Sequence, residues 1–281
     1  MTLPGPDYVA PAKLNLFLHV VGRRADGYHL LQSAFVLIDR FDSLRFALRE
    51  DGVVRRVNEV PGVPPDQDLV VRSARALQAA CGTRLGVDIE LEKRIPMGGG
   101  LGGGSSDAAT TLHVLNRMWS AGLDEAALRA LGVQLGADVP FFLFGRPAWV
   151  EGVGEQLRPL ARPRHWYVVL VPPVEVPTGE VFAAAELTRN TEALKMEDFS
   201  AQPARFKNDL EPVVVSRYPE VARHLAWLGR HGKARMTGSG SCVFAEFESR
   251  EAAQAVIDAL PEGMKGFIAR GLDRHPLREQ V

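Results

Sequence analysis

Six of the chain's 27 glycines crowd into the stretch from Pro96 to Gly104 of "PMGGGLGGGSSDAA", and two serines and an aspartate follow them. Bare backbone at that density either links domains or lets main-chain amides close on a ligand. A linker has no regular structure pressed against its ends, and this stretch has it on both sides. Upstream, Leu85, Val87, Ile89 and Leu91 alternate with Gly86, Asp88, Glu90 and Glu92, the period of a half-buried strand. Downstream, Ser105, Ser106 and Asp107 are N-cap residue types, and Ala108, Leu112, Leu115 and Trp119 recur at helical spacing. A strand, a glycine loop and a helix start together present free N–H groups and the positive end of a helix dipole. Successive glycine amides can turn inward as an anion nest, so a phosphate group is the expected occupant.

Known loop designs narrow the ligand. A Walker loop requires Gly-x-x-x-x-Gly-Lys-Ser/Thr, and no lysine lies between Pro96 and Arg117. Gly98, Gly100 and Gly103 satisfy the dinucleotide spacing Gly-x-Gly-x-x-Gly. The acids about 20 positions further on, however, are Asp124 and Glu125 of "LDEAALRALGVQL", which reads as a helix start where that fold needs the end of a strand.

Other polar groups sit oddly for a plain core. In "APAKLNLFLHVVG", residues 10 to 22, alternation predicts a strand with Leu14, Leu16, Leu18 and Val20 on one face and Lys13, Asn15, Phe17 and His19 on the other. Lysine and asparagine two apart on a rigid strand reach one ligand together, or else form a solvated sheet face. Tyr28 and His29 follow an Asp26-Gly27 turn, where they either bind a flat ring or form a surface pair. Asp138, beside Pro140 in "QLGADVPFFLF", is a carboxylate at an apolar junction: it needs a partner there or caps the next turn. "TGSGSC", 237 to 242, reads as a turn between two short strands, either a simple hairpin or a loop that closes over a ligand.

The elements that must position these groups belong to an ordinary globular chain of 281 residues, 46% hydrophobic, with formal net charge −1. That balance supplies no basic field for nucleic acid or an anionic membrane surface, so anion binding has to be local. "MTLPGPDYVAPAK" has no basic segment followed by an apolar run, and no stretch approaches membrane-spanning length; a cytoplasmic location is expected. Cys81 and Cys242 are far apart and read as buried reduced thiols, and the seven histidines show no metal-ligand spacing. Two halves are expected, residues 1–163 and 164–281, meeting at the proline-rich "LRPLARPRHW". The first carries early strands, the glycine loop and two helices, with core strands in "VPFFLFGRPAWVEG". The second carries a strand "WYVVLV", one helix in "EPVVVSRYPEVARHLAWLG", a helix "REAAQAVIDAL" and a strand "GFIAR". That alternation suggests an α+β sandwich.

Taken together, "PAKLNLFLHVVGRRADGYH", "PMGGGLGGGSSDAA" and "RMTGSGSCVF" resemble, in order, the three motifs of the galactokinase, homoserine kinase, mevalonate kinase and phosphomevalonate kinase superfamily. The resemblance spans nearly the whole chain. The second motif departs from the usual form by inserting Gly103 and Gly104 before the serines. With "LGADVPFF", "VPTGEVF", "RNT" and "NDLE", this looks like the branch whose acceptor is 4-diphosphocytidyl-2-C-methyl-D-erythritol, in non-mevalonate isoprenoid precursor biosynthesis.

The resemblance implies a fold and a set of roles. The fold would be α+β, with an N-terminal domain like the second domain of ribosomal protein S5 and a ferredoxin-like C-terminal domain. The activity would be transfer of the γ-phosphate of ATP, carried with Mg²⁺, to the 2-hydroxyl of the cytidyl substrate. Asp138 falls at the catalytic aspartate and Lys13 at the lysine beside it. Pro96, Met97, Gly98, Gly99, Gly100, Leu101, Gly102, Gly103, Gly104, Ser105 and Ser106 would wrap the ATP phosphates. Asn15 would meet the erythritol hydroxyls, Tyr28 and Phe182 the two faces of cytosine, and His29 its edge. No protein-held metal, nucleic acid, membrane or obligate protein partner is implied. Two rival classes remain: an RNA-binding module of the same N-terminal topology, which would leave the glycine loop unexplained, and a dinucleotide oxidoreductase.

Overall fold

A computed structural model describes residues 3–201 and 205–277. The first half runs β1 (Tyr8–Arg23), β2 (His29–Arg49), β3 (Val54–Arg56), α1 (Leu69–Cys81), β4 (Gly86–Glu92), α2 (Gly103–Met118), α3 (Glu125–Leu135), α4 (Val139–Phe144), β5 (Ala148–Gly152) and β6 (Gln156–Pro159). The second runs β7 (Trp166–Leu170), α5 (Thr178–Ala183), α6 (Asp198–Ala201), α7 (Glu211–Arg217), α8 (Pro219–Leu228), β8 (Arg235–Met236), β9 (Val243–Phe247), α9 (Arg250–Asp258) and β10 (Gly266–Leu272).

The long β2 is the hub of the sheet. Leu31–Phe35 pairs antiparallel with β5, Ser43–Arg49 with β4, and Leu37–Ile38 with Leu272–Gly271 of β10. β10 continues to β7, β9 and β8, so hydrogen bonding runs unbroken from one half to the other. Helices α1 to α4 cover the first half through a core that includes Leu77, Leu112, Leu115 and Phe141. A second core, with Val168, Val214, Leu228 and Val256, joins α7, α8 and α9 to the second half.

Several sequence readings hold. β4 buries Val87, Ile89 and Leu91, and α2 buries Ala108, Leu112 and Leu115. Asp124 caps α3 through its carboxylate, accepting from Ala127 N at 2.8 Å, which contributes about 1 kcal/mol to the helix and removes it as a dinucleotide ribose ligand. Other readings need correction. The apolar run read as core strand is α4 over Val139–Phe144, and only Ala148–Gly152 is strand; a short apolar run buried on every side carries no period to separate the two. The single helix expected over 211 to 229 is two, broken at Tyr218, because a residue before proline is pushed out of the helical region. The serines and Asp107 do not cap α2. Its N-cap is Gly102, at φ 71°, and they lie in the first turns. Cys242 is buried, but Cys81, at the end of α1, is only half-buried.

The alternation read into β1 also fails, with consequences for the site. Asn15 pairs with Phe35 and Phe17 with Ala34, which leaves Leu16 as an extra residue. That β-bulge shifts the following side chains to the opposite face, up to a further irregularity between Val20 and Gly22. Leu18 therefore shares a cavity with Lys13 and Asn15. His19 instead turns to the back, edge-on to Phe17 at 5.0 Å and stacked on Phe206 at 6.0 Å.

Candidate active site

Neither face of β1 is a solvated sheet face: Lys13 is 3% exposed and Asn15 1%. Lys13 reaches across to Asp138, with Nζ 3.3 Å from Oδ2, and also hydrogen-bonds Asn15 Oδ1. Asp138 stands at the N-terminus of α4 without a side-chain capping bond, so its carboxylate is committed to the lysine and to the cavity, not to the helix. The lysine ammonium lies 4.9 Å from the Phe35 ring centroid. A buried cation with one carboxylate partner that is 29% exposed is a site for charge chemistry.

The glycine loop is locked onto this strand and onto the third motif. Lys13 N donates to Leu101 O at 2.9 Å, and Cys242 N donates to Gly99 O at 3.1 Å. A Cβ on Gly100, whose φ is 75°, would run into the carbonyl of Thr237. One on Gly99 would come 2.5 Å from Cys242 Sγ, and burial pushes that thiol up to about 12, leaving it an inert packing group. These glycines therefore serve loop interlocking as well as ligand approach. "TGSGSC" joins β8 to β9 as a hairpin, and its Gly238, Ser239 and Gly240 also line the cavity that holds Lys13 and Asn15. Thr237 Oγ1 accepts from Asn15 N at 2.9 Å, and Ser239 Oγ lies 2.6 Å from Thr178 Oγ1 at the start of α5.

Three cavities join end to end. The first, about 270 Å³, is lined by Pro96 to Gly104 and by residues that include Val63, Leu69, Leu91 and Lys93. The central one, about 290 Å³, holds Lys13, Asn15, Asp138 and Ser105, and shares Gly98, Gly100 and Gly102 with the first. The third, about 570 Å³, holds Tyr28, His29 and Phe182, and shares Leu31, Ala137 and Phe182 with the centre. Ser106 N is the amide that closes the first turn of α2, onto Gly102 O at 2.9 Å, so the amides before it stand free for an anion. The structure thus brings the residues expected of the site to one cleft, with a single exception. Ser106 is fully buried and lines none of the three cavities, and its hydroxyl has no hydrogen-bond partner among the described residues.

The third cavity is the most open. Tyr28 is 67% exposed, held by Asp26 Oδ1 accepting from Tyr28 N at 3.2 Å. The His29 and Phe182 rings meet at 5.1 Å with a 32° tilt. Burial lowers the His29 pKa from its usual value, and the cations Arg189 and Arg23 add to that, so the imidazole is neutral at pH 7.

Sequence reasoning missed Lys93. It is absent from the loop itself but lies three residues upstream and lines the first cavity. Its ammonium bridges the buried carboxylates of Asp42 and Asp107, the latter at 2.7 Å. Burial opposes its charge, yet the two carboxylates outweigh that and hold the ammonium above its ordinary range. Burial pushes the Asp107 carboxyl well above its usual range. The one available signal was a lysine at the end of the strand that feeds the loop.

Comparison with known proteins shows the family to which the chain belongs. Residues 68–146 match the family description "GHMP kinases N terminal domain" and residues 183–266 match "GHMP kinases C terminal". The chain is 62% identical over 274 residues to a 4-diphosphocytidyl-2-C-methyl-D-erythritol kinase of Thiobacillus denitrificans, covering 98% of each chain. It is 58% identical over 275 residues to one of Aromatoleum aromaticum, covering 98% of this chain and 96% of that one. A crystal structure of 4-(cytidine 5'-diphospho)-2C-methyl-D-erythritol kinase superposes with TM-score 0.82 at 37% identity, over 95% of this chain and 99% of that one. A mevalonate kinase crystal structure shares the fold, with TM-score 0.70 at 15% identity, over 96% and 100% of the two chains.

Proposed function

The chain belongs to the GHMP kinase family, and from that premise we propose that it phosphorylates the 2-hydroxyl of 4-diphosphocytidyl-2-C-methyl-D-erythritol with ATP, in isoprenoid precursor synthesis. The observation that carries this reading is the continuous cleft: a glycine-rich cavity, a charged centre and an aromatic cavity, in the order of a nucleotide phosphate tail, an acceptor hydroxyl and a base.

Phosphoryl transfer leaves the protein mainly positioning and charge neutralisation. The ATP phosphates lie on the free amides at the start of α2 and on the loop from Pro96 to Gly104. Asn15, fixed by Thr237 and Ser33, orients the erythritol hydroxyls. Asp138 accepts the proton as the 2-hydroxyl oxygen bonds to the γ-phosphorus, and the bond to the β-phosphate oxygen breaks to release ADP. Lys13 keeps Asp138 ionised beforehand and neutralises charge on the moving group. Tyr28 and Phe182 take the two faces of cytosine and His29 its edge.

Among the described residues no group of three or more His, Cys, Asp and Glu side chains is placed to hold a metal. A Mg²⁺ ion carried by the nucleotide fits the central cavity, where Ser105 offers an oxygen donor of the kind it takes. Bound there, it would offset the negative charge of the phosphates. The finer fold assignments belong to the same reading: an S5-like first domain to residue 163 and a ferredoxin-like second domain, supported by α7, α8 and α9 packing on the sheet of β7 to β10. The enzyme acts in the cytoplasm, without an obligate protein partner.

Incubation with ATP, Mg²⁺ and the cytidyl substrate, beside mevalonate and homoserine, tests the reading. ADP release that depends on the cytidyl substrate alone is expected. Equal turnover of either control overturns the substrate assignment.

A further inference from the structure

Arg189, in the segment after α5, is half-buried and turns four guanidinium hydrogen bonds onto the protein itself. Nη1 donates to Leu187 O at 3.0 Å, and Nη2 donates to Phe182 O at 3.0 Å and Ala184 O at 2.6 Å. Nε donates to His29 Nε2 at 3.1 Å. One side chain therefore ties the C-terminal end of α5, which carries Phe182, to the start of β2, which carries His29, and both rings wall the aromatic cavity.

The direction of the last bond decides the imidazole's chemistry. Arginine has five N–H donors and no acceptor, and it does not lose its proton in proteins. His29 Nε2 must then present a lone pair, and the proton of the neutral ring must sit on Nδ1. A protonated ring would set one N–H against another. The groups around His29 agree: Arg189 and Arg23 are both cations, while the Asp26 carboxylate of the same turn is engaged by Tyr28 N and by Arg24. Phe182 adds only an apolar ring face.

We propose that Arg189 is a positioning residue for base recognition, fixing His29 as a neutral Nδ1–H donor toward the acceptor edge of cytosine. This rests on the substrate reading above. Cytosine offers adjacent acceptors at O2 and N3, whereas N3 of uracil carries a proton. A donor locked at Nδ1 suits the first edge, and a ring free to exchange tautomers suits both.

The first test needs neither a variant nor a substrate. Nitrogen-15 NMR of the histidine rings in the wild-type protein is expected to show His29 protonated at Nδ1 and bare at Nε2; protonation at Nε2 overturns the proposal, whatever the enzyme phosphorylates. The second test compares wild type, Arg189→Met and Arg189→Lys. Loss of one hydrogen bond to the base predicts that Arg189→Met loses about tenfold in preference for CMP over UMP. The KM for the cytidyl substrate should rise while the KM for ATP stays put, and the lysine, which still donates, should restore part of the preference. In Arg189→Met the His29 titration should move up toward the ordinary imidazole range. An unchanged CMP/UMP ratio with an unchanged His29 tautomer reduces Arg189 to a loop tie and overturns the proposal while the kinase reading stands. A wild-type protein that ignores the cytidyl substrate fails the functional reading first.

Discussion

The two ends of the cleft are built on opposite principles. At the glycine-loop end the cavity is walled by loop, and that loop is pinned by backbone contacts: Leu101 O to Lys13, Gly99 O to Cys242, and Thr237 O packed where a Gly100 side chain would go. At the aromatic end, proposed for the base, the cavity is walled by side chains on a short turn and a short helix, and one of them, Tyr28, is 67% exposed. Rigid amides suit a charge whose shape is the same in every ATP. Exposed rings suit a flat base that must enter and leave. The charged pair between the two ends belongs to neither, and the proposed reaction places the bond change there.

This contrast predicts that damage at the centre falls on turnover, damage at the loop on ATP and stability, and damage at the base end on the cytidyl KM. Lys13→Met keeps the buried stem but removes the charge, and turnover should fall about a hundredfold or more with little change in thermal unfolding. Steady-state kinetics beside a melting curve checks both halves of that expectation, and a larger loss of stability than of rate breaks the contrast.

Gly102→Val comes next. A Cβ there would come 3.0 Å from Lys13 Cγ and from the Phe142 ring, at a φ of 71° that valine does not tolerate. The expected cost is about 1 to 3 kcal/mol of local strain, read as a raised KM for ATP and a lower unfolding midpoint, with the cytidyl KM changing less. The steric reason differs from simple occupation of the phosphate space, since the clash is with the strand and α4.

Removing one stacking ring should act more mildly. Tyr28→Ala and Phe182→Ala should each raise the cytidyl KM about tenfold and leave the KM for ATP unchanged, as expected for loss of one base-stacking face. Unchanged cytidyl KM values in both variants would make these rings structural and move the base elsewhere.

The smallest effect sharpens the contrast across the thickness of β1. Burial lowers the His19 pKa from the usual 6.5, against the pull of Asp209. Its folded value lies below its unfolded one, so the unfolded chain binds more protons in that window. The contribution to stability is complete above pH 6.5 and is lost as pH falls through the lowered value. The stability gap between wild type and His19→Gln should therefore narrow on acidification, by at most about 1.4 kcal/mol for each pH unit that separates the folded value from the unfolded one. Denaturant titrations across that range check it, and turnover at neutral pH should hardly change, since the ring faces Phe206 and not the cavity.

That last residue shows where the sequence stops being legible. The glycine loop, its strand and its helix follow from period and composition, because Val87, Ile89 and Leu91 on one side and Ala108, Leu112 and Leu115 on the other leave no other register. Lys13, Asn15 and Asp138 were visible as polar groups in apolar surroundings, but nothing local told that they meet. Their approach depends on chain segments more than a hundred residues apart. The bulge at Leu16 carries no sequence mark of its own, and it alone sends His19 away from Asn15. Lys93 was passed over because it lies outside the glycine loop, and Arg189, although it opens "RNT", because nothing local told that it meets His29.

Asp138→Asn tests the division most directly, since it changes a single atom of the carboxylate and keeps its shape. With the cytidyl substrate and a non-hydrolysable ATP analogue, calorimetric titration should give affinities within about threefold of wild type, less than the weight of one hydrogen bond. Single-turnover phosphorylation with ATP should be slower by about a hundredfold or more. A near-normal single-turnover rate, or a loss of affinity as large as the loss of rate, would contradict a carboxylate that acts on the reacting hydroxyl alone.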